Sequence, residues 1–136
     1  NTLDDYEEGV WTVGVTFGGN SASMTFVPNG RVGHYTRIGN RVILGCYLSL
    51  ANKGTSTGNA VLTGLPFPSS STTNTYSNVS ILARNISWAN MPVAELGPNS
   101  STIRLAEILE NGVLSELTEG NFDNDAVIEI LAVYPV

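Results

Sequence analysis

The segment Arg41 to Ala51, RVILGCYLSLA, alternates with period two, setting Val42, Leu44, Cys46, Leu48 and Leu50 on one face and Ile43, Gly45, Tyr47 and Ser49 on the other. A helix would scatter those first five residues around its axis, so the run predicts a strand. Its second face also carries Ile43 and Tyr47. A sheet with apolar residues on both sides is covered twice, so another sheet or another subunit is expected over that face in place of water.

The rest of the chain reads the same way. Val10 to Phe17 alternates and stops at Gly18-Gly19-Asn20; Ser23 to Val27 ends at Pro28-Asn29-Gly30, whose Asn-Gly pair signals a tight turn; Val32 to Ile38 leads through Gly39-Asn40 into the run above. An antiparallel meander is the natural reading. Further on, Gly58 to Leu65 predicts a short strand, Ser69 to Asn74 a polar, flexible loop, and Val79 to Trp88 and Thr102 to Leu109 two more strands. The last of these breaks period two midway, as a bulge or a helical turn running toward Leu117 would. Ala126 to Tyr134 closes the chain with Ile128, Ile130, Ala132 and Tyr134 on one face. Short strands separated by turns, with no sustained helical stripe, predict an all-β, antiparallel β-sandwich or jelly roll.

The 136 residues suffice for one domain with its own core. Charged residues are only 13% of the sequence, so Ser, Thr, Asn and Gly must supply much of the solvated surface. The net charge of −6 offers no attraction for phosphate backbones or anionic lipid, which argues against nucleic acid as a partner. No stretch approaches the apolar length of a membrane span, so no membrane insertion is expected. The first residue is not Met, as expected of a processed product or a piece of a longer chain. Cys46 is the only cysteine and reads as a small buried hydrophobe.

Catalytic chemistry needs convergent groups, and the chain has a single histidine, His34. It lacks a nucleophile elbow, a P-loop, a dinucleotide fingerprint and zinc-ligand spacing. Glu107, Glu110, Glu116, Glu119, Asp123 and Asp125 offer carboxylate pairs for glycoside hydrolysis, but a solvated, aggregation-resistant edge explains them as well. Asn121 to Asp125 falls short of a calcium loop. No enzyme activity, cofactor or metal is therefore expected. For glycans, aromatic faces beside planar polar side chains are the relevant pattern, and Tyr76, Arg84, Asn85, Trp88 and Asn90 are the candidates; for Trp88 a place in the core or an interface is the stronger reading. The sequons at Asn78, Asn85 and Asn99 matter only in a eukaryotic secretory pathway.

Several motifs stand in a recognisable order. Leu3-Asp4-Asp5-Tyr6-Glu7-Glu8-Gly9-Val10-Trp11-Thr12, Phe17-Gly18-Gly19-Asn20, Gly33-His34-Tyr35-Thr36-Arg37-Ile38-Gly39, and Lys53-Gly54-Thr55-Ser56-Thr57-Gly58-Asn59-Ala60 with Gly64-Leu65-Pro66-Phe67 together resemble a domain common near the C-terminal ends of bacteriophage and prophage tail fibre, tailspike and tail-needle proteins. The resemblance implies a homotrimeric knob in the virion's tail appendage, outside the cell, serving assembly and attachment to an envelope glycan or other surface receptor. A purely structural trimerisation cap, or an accessory domain of a polysaccharide depolymerase, are the alternatives. On this reading residues 1–9 are an acidic linker from an upstream shaft, 10–136 the knob, and Trp11, Ile43, Tyr47 and Tyr134 contribute to the trimer interface.

Overall fold

The computed structural model describes residues 5–136 and is all-β. Ten strands follow in order: β1 (Tyr6–Trp11), β2 (Gly14–Phe17), β3 (Thr25–Ile38), β4 (Arg41–Asn52), β5 (Ala60–Thr63), β6 (Ser77–Ile86), β7 (Met91–Leu96), β8 (Ile103–Ile108), β9 (Leu114–Glu116) and β10 (Phe122–Pro135). All pairings are antiparallel, along the path β1-β3-β4-β10-β6-β7-β8-β5-β2, with β9 on β8.

One strand makes the corner. Ser77, Asn78 and Val79 of β6 pair with β7, whereas Ser80 to Arg84 pair with β10, so the sheet folds over and its two halves face each other as layers. The first layer (β1, β3, β4, β10 and most of β6) sends Leu44, Leu48, Ile128 and Ile130 into the core. The second (β2, β5, β7, β8, β9) sends Phe17, Leu62, Leu96, Ile103 and Leu105. Phe17 meets Phe122 edge to face at 5.0 Å, tying the layers together. The sandwich expected from the alternation is thus what forms, and β4 and β10 bury the faces read from the sequence.

Five expectations change. The run Val10 to Phe17 is not one strand: it breaks at Thr12-Val13, where the chain crosses from the first layer to the second, and Arg31 Nε donates to the Val13 carbonyl at 2.8 Å to hold the crossing. Pro28-Asn29-Gly30 does not reverse the chain. Asn29 takes a left-handed φ of 58°, but β3 continues and the extra residues form a bulge between Phe26 and Arg31, because the long β4 pairs with both halves. The helical alternative toward Leu117 gives way to the β8–β9 hairpin, and the broken period reflects burial of the adjacent Leu105 and Ala106. Finally, Tyr6 to Gly9 are no linker, because they pair with β3 as an edge strand, Tyr6 opposite Ile38 and Gly9 opposite Tyr35; the linker expectation for 1–4 lies outside the described residues. The loop starting at Ser69 is also tied down, since Ser69 N–H donates to Ser100 O, Ser70 N–H to Pro135 O, and Asn99 N–H to Ser70 O.

β7 escaped the sequence reading because Pro92 and Glu95 interrupt its apolar pattern. Pro92 is tolerated there because β6 pairs only with Ala94 to Leu96, leaving that stretch of β7 open on one side.

Candidate functional site

The layers differ in what they turn outward. Across the first layer, cross-strand partners put Glu8, Thr36, Ile43 and Val133 in one row, Val10, His34, Gly45, Leu131 and Ser80 in the next, and Val32, Tyr47, Glu129 and Leu82 in a third. Ile43 is 41% exposed and Tyr47 36%, and Val10, Val32, Leu82, Leu131 and Val133 are exposed beside them. Of the two covers expected over this face, another sheet of the same chain is excluded among the described residues. Gly45, with no side chain, leaves a hollow of about 200 Å³ bordered by His34, Thr36, Ile43 and Leu131. These neighbouring apolar side chains form an exposed strip of the kind that marks an interaction surface.

The second layer turns outward the row Thr16, Val61, Arg104, Glu95 and Asn78. Arg104 forms ion pairs with Glu95 and, at 3.5 Å, with Glu116, and the two carboxylates raise its pKa, the Glu95 hydrogen bond most. Beside them lies an open cleft of about 400 Å³, lined by Tyr76, Glu95, Gly97, Pro98, Ser100, Thr102 and Arg104.

The glycan candidates do not form one patch. Tyr76 precedes β6 and borders this cleft, whereas Trp88 and Asn90 follow the far end of β6, about 30 Å of extended chain away. Trp88 is half-buried against the core. Asn85 adopts a left-handed φ of 58° opposite a bulge in β10 and donates from Nδ2 to Asp125 O, so its side chain serves the sheet; Arg84 is exposed beside it. Asn90 borders a separate hollow with Leu109, Glu110 and Asn111. Sequence reasoning missed Arg104 and Glu95, whose register across β7 and β8 was invisible without β7.

Two interface candidates are corrected outright. Tyr134 is 0% exposed: it points into its own core, donates its hydroxyl to Phe67 O at 3.0 Å, and has its phenol pushed up to about 12 by burial. Trp11 is 7% exposed and lies flat over Gly33, where any side chain would collide with the indole. Both rings fill the protomer, so neither is free to face a neighbour. Ile43 and Tyr47 remain on the outer strip. Cys46 lies half-buried on the inner face, its thiol also pushed up to about 12 by burial.

Three of the six acidic side chains that could pair for hydrolysis are engaged. Glu107 accepts from the backbone of Ala89 and Asn90, Glu119 from Gly58 N–H at 2.7 Å, and Glu116 pairs with Arg104. Among the described residues no three of His, Cys, Asp and Glu converge as metal ligands, and no helix is long and apolar enough to cross a membrane.

No family model matches the chain, and no curated protein matches it. Among solved structures, the Dettilon tailspike protein matches over 96% of this chain with a TM-score of 0.77 and 18% sequence identity. The chain shares the fold of part of that protein. The chain spans 24% of the length of that tailspike, and the likeness at this identity is one of fold. It agrees with the tailspike part of the resemblance read from the motifs.

Within this fold several of the motif residues hold the backbone together. Lys53 Nζ donates to Glu119 O at 2.9 Å and Phe122 O at 2.7 Å, closing the 3-10 turn that leads into β10. Gly58, at φ +119°, lies against the backbone of Gly18 too closely for a side chain, and Gly18 N–H donates to Asn59 O. Tyr35 meets Phe67 edge to face at 5.4 Å while Arg37 stacks over the same ring.

Proposed function

We propose that this chain is a trimeric domain of a bacteriophage tail appendage, carried on the virion, that supports assembly and attachment to the bacterial surface. The observation that carries the reading is the tailspike fold over 96% of the chain.

The apolar strip supports the trimer. Three copies with β4 and β10 turned inward about a common axis would cover Ile43, Tyr47, Leu131 and Val133, apolar side chains that a lone protomer leaves wet. Pairing through the sheet edge is disfavoured, because edge strand β1 carries Glu7 and Glu8. Light scattering after gel filtration at micromolar concentration is expected to return three times the 14.4 kDa protomer mass; a monomer would overturn the trimer.

The domain acts by binding and not by hydrolysis on this reading, with an envelope glycan as its partner. The engaged carboxylates favour that choice over a depolymerase accessory domain. Release of reducing ends from capsule or lipopolysaccharide by the purified chain would reverse it. A purely structural cap is the second reading, favoured by the motif residues Lys53, Tyr35 and Phe67, which serve the scaffold. It predicts that the labelled chain competes for no site on intact bacteria.

A further inference from the structure

Resting on the attachment reading above, we propose that the cleft between Tyr76 and Arg104 on the second layer binds a neutral sugar unit of the bacterial envelope. Tyr76 is exposed and borders the cleft beside Gly97, which adds no side chain of its own, so the ring offers an aromatic surface there. Rings of this kind pack against the C–H faces of pyranoses, whose hydroxyls then need donors and acceptors around the rim.

The rim supplies both. Arg104 offers N–H groups and Glu95 carboxylate oxygens, held in position by their ion pair and by Glu116, which pairs with Arg104 from outside the cleft's lining. One guanidinium against two carboxylates leaves this cluster one negative charge in excess. An anionic sugar, such as a uronic acid, would meet that excess together with the chain's net charge of −6, which selects for a neutral ligand.

The cleft is also built in advance. Its floor, the β7–β8 connection, is clamped by the buried Ser69, whose hydroxyl donates to Gly97 O at 2.6 Å and accepts from Ser100 N–H at 2.9 Å. Ser100 Oγ in turn accepts from Thr102 N–H and donates to Thr102 O. A pre-ordered loop loses little entropy when a ligand arrives. A volume near 400 Å³ falls in the range of small-molecule sites. Because the cleft is on the layer opposite the apolar strip, a trimer joined through that strip would leave all three clefts open on its outside.

The test uses the full chain on an array carrying neutral bacterial O-polysaccharides beside uronic-acid-containing ones, with adsorption of the labelled chain to a panel of intact bacteria as a second readout. Neutral glycans are expected to give the signal, reduced at least tenfold by Tyr76→Ala and retained by Tyr76→Phe, with circular dichroism unchanged in both. Silence on every neutral glycan, signal confined to the acidic ones, or an undiminished signal from Tyr76→Ala would overturn the cleft. Adsorption to bacteria that persists undiminished in Tyr76→Ala would sink the cleft while sparing attachment, whereas a wild-type chain that adsorbs to none of the bacteria would sink attachment itself.

Discussion

The outward faces of the two layers are built from the same pleated backbone and end in opposite chemistry. Above β4 and β10 stand Ile43, Leu131, Val133 and Tyr47; above β7 and β8 stand Glu95 and Arg104. Water solvates the second face at no cost, whereas the first gains about 25 cal/mol for each Å² of apolar surface that another body covers. One face is therefore suited to permanent burial and the other to a reversible, polar encounter. Alternation within each strand separates core from surface, but only the pairing of strands sorts the surface into these two kinds.

The largest test of that contrast is a charge set into each face. Leu131→Asp, in the middle row of the apolar strip, is expected to reduce the light-scattering mass from three protomers to one at micromolar concentration, while Val61→Asp on the second face leaves the mass unchanged. Equal loss from both variants would erase the distinction between the faces.

A change beneath the surface should behave differently from either. Lys53→Met removes a cationic donor from two main-chain carbonyls, and such charge-assisted bonds are worth about 1.5–3 kcal/mol each. Urea unfolding is expected to show a loss of about 3 kcal/mol with the assembled mass retained. Dissociation without a shift in the unfolding midpoint would mean that this clamp serves the interface.

Tyr134 separates inside from outside through pH. Burial raises its phenol from 10.0 to about 12, so the folded protein holds the proton more tightly than the unfolded chain does. The stabilisation is complete below pH 10 and fades as pH climbs toward 12, a loss on the order of 2–3 kcal/mol. Tyr134→Phe costs about 1 kcal/mol at neutral pH, from the Phe67 carbonyl left without its donor, and should flatten the alkaline slope in thermal melts. A slope the same as wild type would move the alkaline transition to another group.

Smallest is the surface ion pair. Glu95→Gln should change stability by less than about 1 kcal/mol, because solvent-exposed pairs contribute little. A larger drop in chemical denaturation would make the second face part of the fold's support, and the contrast between the faces would narrow.

How much of this was legible in the chain differs by residue. Val42, Leu44, Leu48, Ile128, Ile130 and Ala132 declared their inward face by period two alone, and Ile43 and Tyr47 declared a second apolar face by the same rule. Tyr134 obeyed the period, and the depth of its burial ruled it out as an interface residue. Trp11 stood near the chain start and looked available, but it is buried because Gly33, two strands' length away in sequence, makes room for it. The cleft was half visible: Tyr76 stood out as an aromatic in a polar loop, while Glu95 and Arg104 carried no signal until β7 and β8 were in register. Asn29-Gly30 gave the correct dihedral preference and the wrong consequence.

By itself, then, the sequence determined that this is an antiparallel β protein, which faces of β4 and β10 enter the core, and that β4 also carries apolar residues on its second face, because strand geometry converts alternation directly into faces. Tertiary structure alone decided which layer each strand joins, where β6 turns the corner, and which distant side chains share a cleft or a hollow. Those outcomes depend on hydrogen-bond register between segments far apart in the chain, and a one-residue slip, which no local pattern forbids, would reassign every one of them.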